Sequence, residues 1–161
     1  VVKLSGEMQE RIAKLPFPVM QLLPGITPVP IINKYSTPET LGSDRLAAAV
    51  GAYMKHKGNA VLVIDVGTCI TYDFVNGRGE YLGGNISPGP TIRIKALNQF
   101  TDSLPLIQRK GHTPELGDTT ETAIRCGVMH GVVYEIEGYI RNYLLKYPNL
   151  FVYLTGAILG K

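Results

Sequence analysis

An aspartate closing a run of aliphatic residues is the first place where this sequence could do chemistry. Val61-Leu-Val-Ile64 is followed by Asp65-Val66-Gly67-Thr68. A carboxylate at the end of a buried strand can bind a cation that accompanies phosphate. The glycine lets backbone N–H groups approach phosphate oxygens, and the threonine adds a hydroxyl donor. The same residues would also make a plain turn capped by aspartate. A second candidate is Gly42-Ser43-Asp44-Arg45. Phosphorylating an alcohol needs an acceptor for the hydroxyl proton, and a carboxylate serves. An adjacent guanidinium can hold a substrate carboxylate or neutralise phosphate charge. The alternative is an ordinary helix start, with Ser43 or Asp44 as N-cap and Arg45 on the surface.

Two further segments could receive a ligand. Gly83-Gly-Asn-Ile-Ser-Pro-Gly89 reads as a rigid loop with few Cβ atoms, open to a ligand against the main chain or simply a tight turn. Gly117-Asp-Thr-Thr120 stands before a helix, where hydroxyls and free N–H groups bind polar or anionic groups or merely cap. His56, His112 and His130 are too far apart to read as metal ligands. Cys69 and Cys126 show no metal or redox spacing, which favours a reducing cytoplasm.

These segments need elements to hold them. The first stretch, through Lys14, reads as helix, with Ile12 and Leu15 as its core contacts. Residues 16–40 hold more than half of the prolines, leaving room for little beyond a short strand around Val29–Ile32. Leu46, Ala49, Val50 and Tyr53 recur at helical spacing between Leu41 and His56. Val61–Ile64, Ile70–Phe74 and a strand starting at Glu80–Leu82 form a meander turning at Asn76-Gly77. A helix is expected from Pro90 to Phe100, with proline in its first turn. Another runs from a capping-box-like Asp118/Glu121 start to Tyr147, its inner face carrying Ile124, Val128, Val132, Ile136, Ile140 and Leu144. Leu150–Leu154 is a last strand. The mixture predicts an α/β domain. Gly127 and Gly131, one turn apart, suggest a close neighbouring backbone, such as a second subunit's.

Composition agrees with a folded domain: 161 residues, 45% hydrophobic and 18% charged. A net charge of +3, scattered along the chain, suits an anionic small ligand and does not make a nucleic-acid binder. No apolar run approaches membrane-spanning length and no leader opens the chain, so the expectation is a soluble cytoplasmic protein without membrane partners.

The order of the motifs says more than any one of them. Tyr35, Gly42-Ser-Asp-Arg45, Asp65-Val-Gly-Thr68, Gly83–Gly89, the Leu104-Pro105 step and Gly117-Asp-Thr-Thr120 with Ala123 and Gly127 together resemble the type III pantothenate kinases. The resemblance spans about Pro28 to Thr155. It implies an actin-like, sugar-kinase-like ATPase fold with ribonuclease H-like domains, one nearly complete and part of the other. Residues 1–57 would be the remainder of the first domain with the interdomain helix, and 58–161 the second. It implies ATP-dependent phosphorylation of pantothenate at the start of coenzyme A synthesis. By position, Asp44 would be the proton acceptor, and Tyr35, Gly42, Ser43, Asp44, Arg45 and Thr120 would bind pantothenate. Gly67 and Thr68 would contact ATP, and Asp65 would hold a monovalent cation, potassium or ammonium. Magnesium would accompany ATP, and Thr120 would act at a homodimer interface.

The resemblance also implies an opening Asp-x-Gly-Asn-Thr loop for ATP phosphates, which is not in the chain, and a Thr-Gly-Gly where Thr155-Gly156-Ala157 stands. An incomplete chain of a longer enzyme is the expectation. A non-catalytic or regulatory dimeric relative of the same fold is the competing reading, and another small-molecule kinase of the same superfamily is a third.

Overall fold

A computed structural model describes residues 5–157 of the chain. Alternation of side chains along three strands, β2 (Val61–Val66), β3 (Cys69–Val75) and β4 (Glu80–Pro88), builds the centre. They pair antiparallel, Val63 opposite Asp73 and Asp73 opposite Gly84. Two short strands flank them in parallel, β1 (Ile32–Asn33) on β4 and β5 (Phe151–Thr155) on β2, giving the order β1-β4-β3-β2-β5.

Each face of this sheet takes a helix, because β2 and most of β3 carry apolar side chains that are buried on both faces. Val61 and Val63 of β2, Val75 of β3 and Tyr81 of β4 pack with Leu46, Ala49, Ala52 and Tyr53 of α2 (Ser43–Lys55). Leu62, Ile64 and Val66 join Ile70, Tyr72 and Phe74 beneath Val132 and the half-buried Ile136, Tyr139, Ile140 and Tyr143 of α4 (Thr120–Lys146). A third, smaller cluster ties Ile94 of α3 (Pro90–Gln99) to Ile124 and Val128 of α4. The result is an α/β architecture, as expected.

Four expectations are corrected. The opening helix, α1 (Gly6–Ala13), buries nothing, and Leu15 just beyond it is 42% exposed. With so few apolar residues on a short helix, neither Ile12 nor Leu15 is drawn into a core. The Gly83–Gly89 segment is no loop: Gly83–Pro88 is the second half of the nine-residue β4, with a register irregularity at Phe74/Val75 beside Gly83, and Gly89 is the N-cap of α3. The glycines there serve packing, since a Cβ on Gly84 would collide with the Tyr72 carbonyl on β3. Helix α4 is capped by Thr119, whose side chain accepts from the Thr122 N–H in a reciprocal box, not by Asp118 and Glu121. Lastly, Leu144 faces solvent, and the inner face ends in Tyr139, Tyr143 and Tyr147, which stack on Tyr72 and Phe74.

Candidate active site

Period-two alternation puts Asp65 and Thr71 on the same sheet face as Val63 and Asp73, the face that α2 covers. The first turn of α2 ends over this face. Asp44, Arg45, Ala48, Val63, Asp65, Gly67, Thr68, Cys69, Thr71 and Asp73 therefore line one cavity of about 230 Å³. Two acids 21 residues apart in sequence, Asp44 and Asp65, share its wall.

Local geometry decides what each can do. The N-cap of α2 is Gly42, with no side-chain cap, so neither Ser43 nor Asp44 performs that job. Asp44 lies inside the first turn, exposed, with Oδ1 accepting the Arg45 N–H at 2.9 Å. A Cβ on residue 42 would collide with that carboxylate. Asp65 is half-buried, and burial, helped by the negative charges of Asp44 and Asp73, raises its pKa. A carboxylate so placed is short of positive charge. The nearest cation does not supply it, because Arg45 is committed elsewhere.

Asp73 takes that cation. Its Oδ1 accepts from Arg45 Nη2 at 2.7 Å and Nε at 3.0 Å, and the Tyr81 hydroxyl donates to the same oxygen at 2.6 Å. Asp73 is 1% exposed and Arg45 9%. Burial works to lower the Arg45 pKa, but the hydrogen bond and charge of Asp73 outweigh it and the net direction is upward. Tyr81 loses acidity through burial and through the same carboxylate. Tyr35, half-buried, stacks at a tilt on Tyr81 with 6.1 Å between ring centroids, and it also supports the guanidinium. Asp73 was missed from sequence. The one available signal was an acid inside an otherwise apolar strand, Ile70–Val75.

The Gly67-Thr68 turn is braced from below. Gly67 N–H donates to Cys69 O at 2.9 Å, and Gly89 N–H to Thr68 O at 3.0 Å. A Cβ on Gly89 would strike the carbonyls of Gly67 and Thr68, so the end of β4 lies flat against the turn. Behind it, on the opposite sheet face, Glu135 of α4 accepts from Tyr72 Oη at 2.7 Å and Ser87 Oγ at 2.5 Å, and pairs with Arg93. Burial opposes ionisation of Glu135, but those three donors outweigh it and lower its pKa. Arg93 also donates to Pro88 O at 2.7 Å, which fixes the residue before Gly89.

Of the residues singled out in sequence, Asp44, Arg45, Asp65, Gly67 and Thr68 meet at the cavity; Gly42 and Ser43 begin α2 just before Asp44, and Tyr35 lies against Tyr81, none of the three lining it. Thr120 does not join them: it is exposed, in the first turn of α4, and lines no part of this cavity. Among the described residues no group of three or more His, Cys, Asp and Glu side chains could hold a metal ion.

Comparison with known proteins decides the lineage. Residues 2–142 match the family described as Type III pantothenate kinase. The chain belongs to the type III pantothenate kinase family. Proteins named Type III pantothenate kinase from Bacteroides fragilis and Phocaeicola vulgatus are 54% and 52% identical over 157 residues, 98% of this chain and 64% of theirs. One from Christiangramia forsetii is 39% identical over the same share. The chain thus spans just under two thirds of the length of these type III pantothenate kinases. A solved chain from Campylobacter jejuni, described as of the Baf family of transcriptional activators, superposes with a TM-score of 0.49 at 21% identity, over 79% of this chain and 53% of that one.

Proposed function

We propose that the protein phosphorylates pantothenate with ATP, the first step of coenzyme A synthesis, and that the Asp44–Asp65 cavity is where the phosphoryl group meets the alcohol. The observation that supports this most is the shared wall: an exposed carboxylate with no ion pair among the described residues, beside a half-buried one, over a glycine turn. Asp44 accepts the proton of the pantothenate hydroxyl as its oxygen bonds to the terminal phosphorus of ATP. The bond from that phosphorus to the bridging oxygen breaks, and ADP leaves. Thr68 contacts the ATP phosphates through its hydroxyl, and Gly67, whose own N–H is spent on Cys69 O, brings the turn close to them without a side chain. Gly42, Ser43, Arg45 and Tyr35 border the acceptor.

Asp65 suits a monovalent cation, potassium or ammonium, because burial and two neighbouring acids leave it electrostatically unsatisfied. Magnesium held by ATP phosphates would neutralise charge developing in the transfer, as this chemistry generally requires. The sheet order and the helix on either face suit an actin-like, ribonuclease H-like domain over residues 58–161, with 1–57 as the remainder of a neighbouring domain. Thr120, remote from the cavity in one copy, would reach pantothenate only across a homodimer. No helix among the described residues is long and apolar enough to cross a membrane, and a cytoplasmic site of action fits the substrates proposed.

The test is ADP release by the full-length protein, with and without pantothenate. Pantothenate-dependent turnover is expected, and Asp44→Asn should lower kcat by a factor on the order of 10²–10⁴. Pantothenate binding without turnover would favour the non-catalytic reading. Unchanged kcat in the Asn variant would remove Asp44 from the role of proton acceptor.

A further inference from the structure

Arg45 raises a question that the cavity itself answers. An arginine next to a proton-accepting carboxylate is a hazard, because it would pair with that carboxylate and occupy the oxygen needed for the hydroxyl. Here the guanidinium turns away: Nε and Nη2 go to Asp73, which β3 presents through the sheet register opposite Val63 and Gly84. Among the described residues no ion pair joins Arg45 to Asp44 or Asp65. The absence of a side chain at Gly84, whose Cβ would stand 3.0 Å from Arg45 Nη2, makes room for this arrangement. Tyr81 then fixes Asp73 from the far side at 2.6 Å.

We infer that Asp73 is a positioning residue: held by Tyr81, it neutralises Arg45 and fixes the guanidinium beside Asp44, so that the cavity reads the hydroxyl end of the acceptor and not its carboxylate. The inference rests on the kinase reading above and adds to it the residue that sets acceptor geometry. Charge supports it. Asp73 cancels Arg45, so the pair offers N–H donors beyond the two already spent but no free positive charge. The phosphorylated hydroxyl and the carboxylate of pantothenate lie at opposite ends of that molecule. With the hydroxyl at Asp44, the carboxylate falls outside the reach of Arg45.

Steady-state kinetics on the full-length enzyme test this, using pantothenate and its alcohol analogue, in which hydroxymethyl replaces the carboxylate. Asp73→Asn should raise KM for both acceptors by about tenfold while KM for ATP stays within about twofold. Tyr81→Phe, a milder change that keeps the ring, should move both acceptor KM values the same way by about threefold. A loss confined to pantothenate would show Arg45 acting as a carboxylate clamp and overturn the inference. So would KM values for ATP and acceptor rising together, or an unchanged acceptor KM in both variants. If Asp73→Asn does not fold, Tyr81→Phe alone decides. A wild-type enzyme that ignores pantothenate but turns over another alcohol sinks the substrate assignment only; the positioning role is then read from the same KM split with that alcohol.

Discussion

Asp65 shows how a single side chain can be costly to a fold and useful to a site. Its folded pKa lies above the unfolded value, for reasons of burial first and of Asp44 and Asp73 second. The sign of the linkage follows. The unfolded chain loses this proton at a lower pH than the folded one, so the ionised side chain destabilises the fold at neutral pH. That penalty disappears as pH falls through the raised folded value. Asp65→Asn is therefore expected to raise the melting temperature at pH 7 by a few degrees, on the order of the shift one kcal/mol gives a domain of this size. The gain should shrink in melts run toward pH 4. Equal melting temperatures for the two proteins at pH 7 would contradict the electrostatic account. At this scale the sequence was informative about Asp44, Arg45, Asp65, Gly67 and Thr68 because each sits in a short motif. Asp73 lies in no motif, and its role depends on helix α2 packing over β3, which brings together Arg45 and Asp73 from 28 residues apart and is invisible before folding.

Among the elements, the helices and strands with clear periodicity were legible: α2, β2, β3, α3 and α4 fall within a few residues of the positions their patterns predict. The glycine-rich segment was not. Gly83-Gly84 breaks the propensity signal of a strand, yet β4 runs through it because β3 supplies partners on both sides of it, from Tyr81 to Pro88, and wants no side chain at position 84. Tertiary packing overrode local preference. Gly84→Ala should consequently cost about 3 kcal/mol or more in urea unfolding, since the backbone carbonyl of Tyr72 cannot yield as a flexible side chain would. A loss under about 0.5 kcal/mol would mean that the strands can part there without penalty. The cap of α4 was misread for a simpler reason. Thr119 and Asp118 are both good caps, and the choice turned on the reciprocal hydrogen bonds with Thr122.

For the whole molecule, the face of α4 turned away from the sheet is the clearest feature. Nothing lies within 4 Å of a Cβ built on Gly127. Tyr134 is 66% exposed and Leu116 84%, and both border the same shallow depression as Gly127, His130 and Gly131. The proposed homodimer would use this surface and would bring Thr120, on the same helix, toward a partner's cavity. Gly127→Leu has space in one copy, so circular dichroism should be unchanged, while light scattering should show a shift from dimer to monomer. An unaltered dimer would put the interface elsewhere.

The turn that carries Gly67 and Thr68 is pressed by backbone from both ends of the sheet. Gly89 lies against its carbonyls, and Gly156, just past β5 with φ of 124°, lies against Val66. Those three points are separated by some 90 residues of chain, including the whole of α4. A site assembled from such distant segments has high contact order, and loop closure must be completed before the contacts reward it. The Gly67-Thr68 turn is thus expected to take shape late in folding, which hydrogen exchange during refolding would check. A nascent chain would carry Asp44 and Asp65 long before Gly156 arrives to hold the turn beside them.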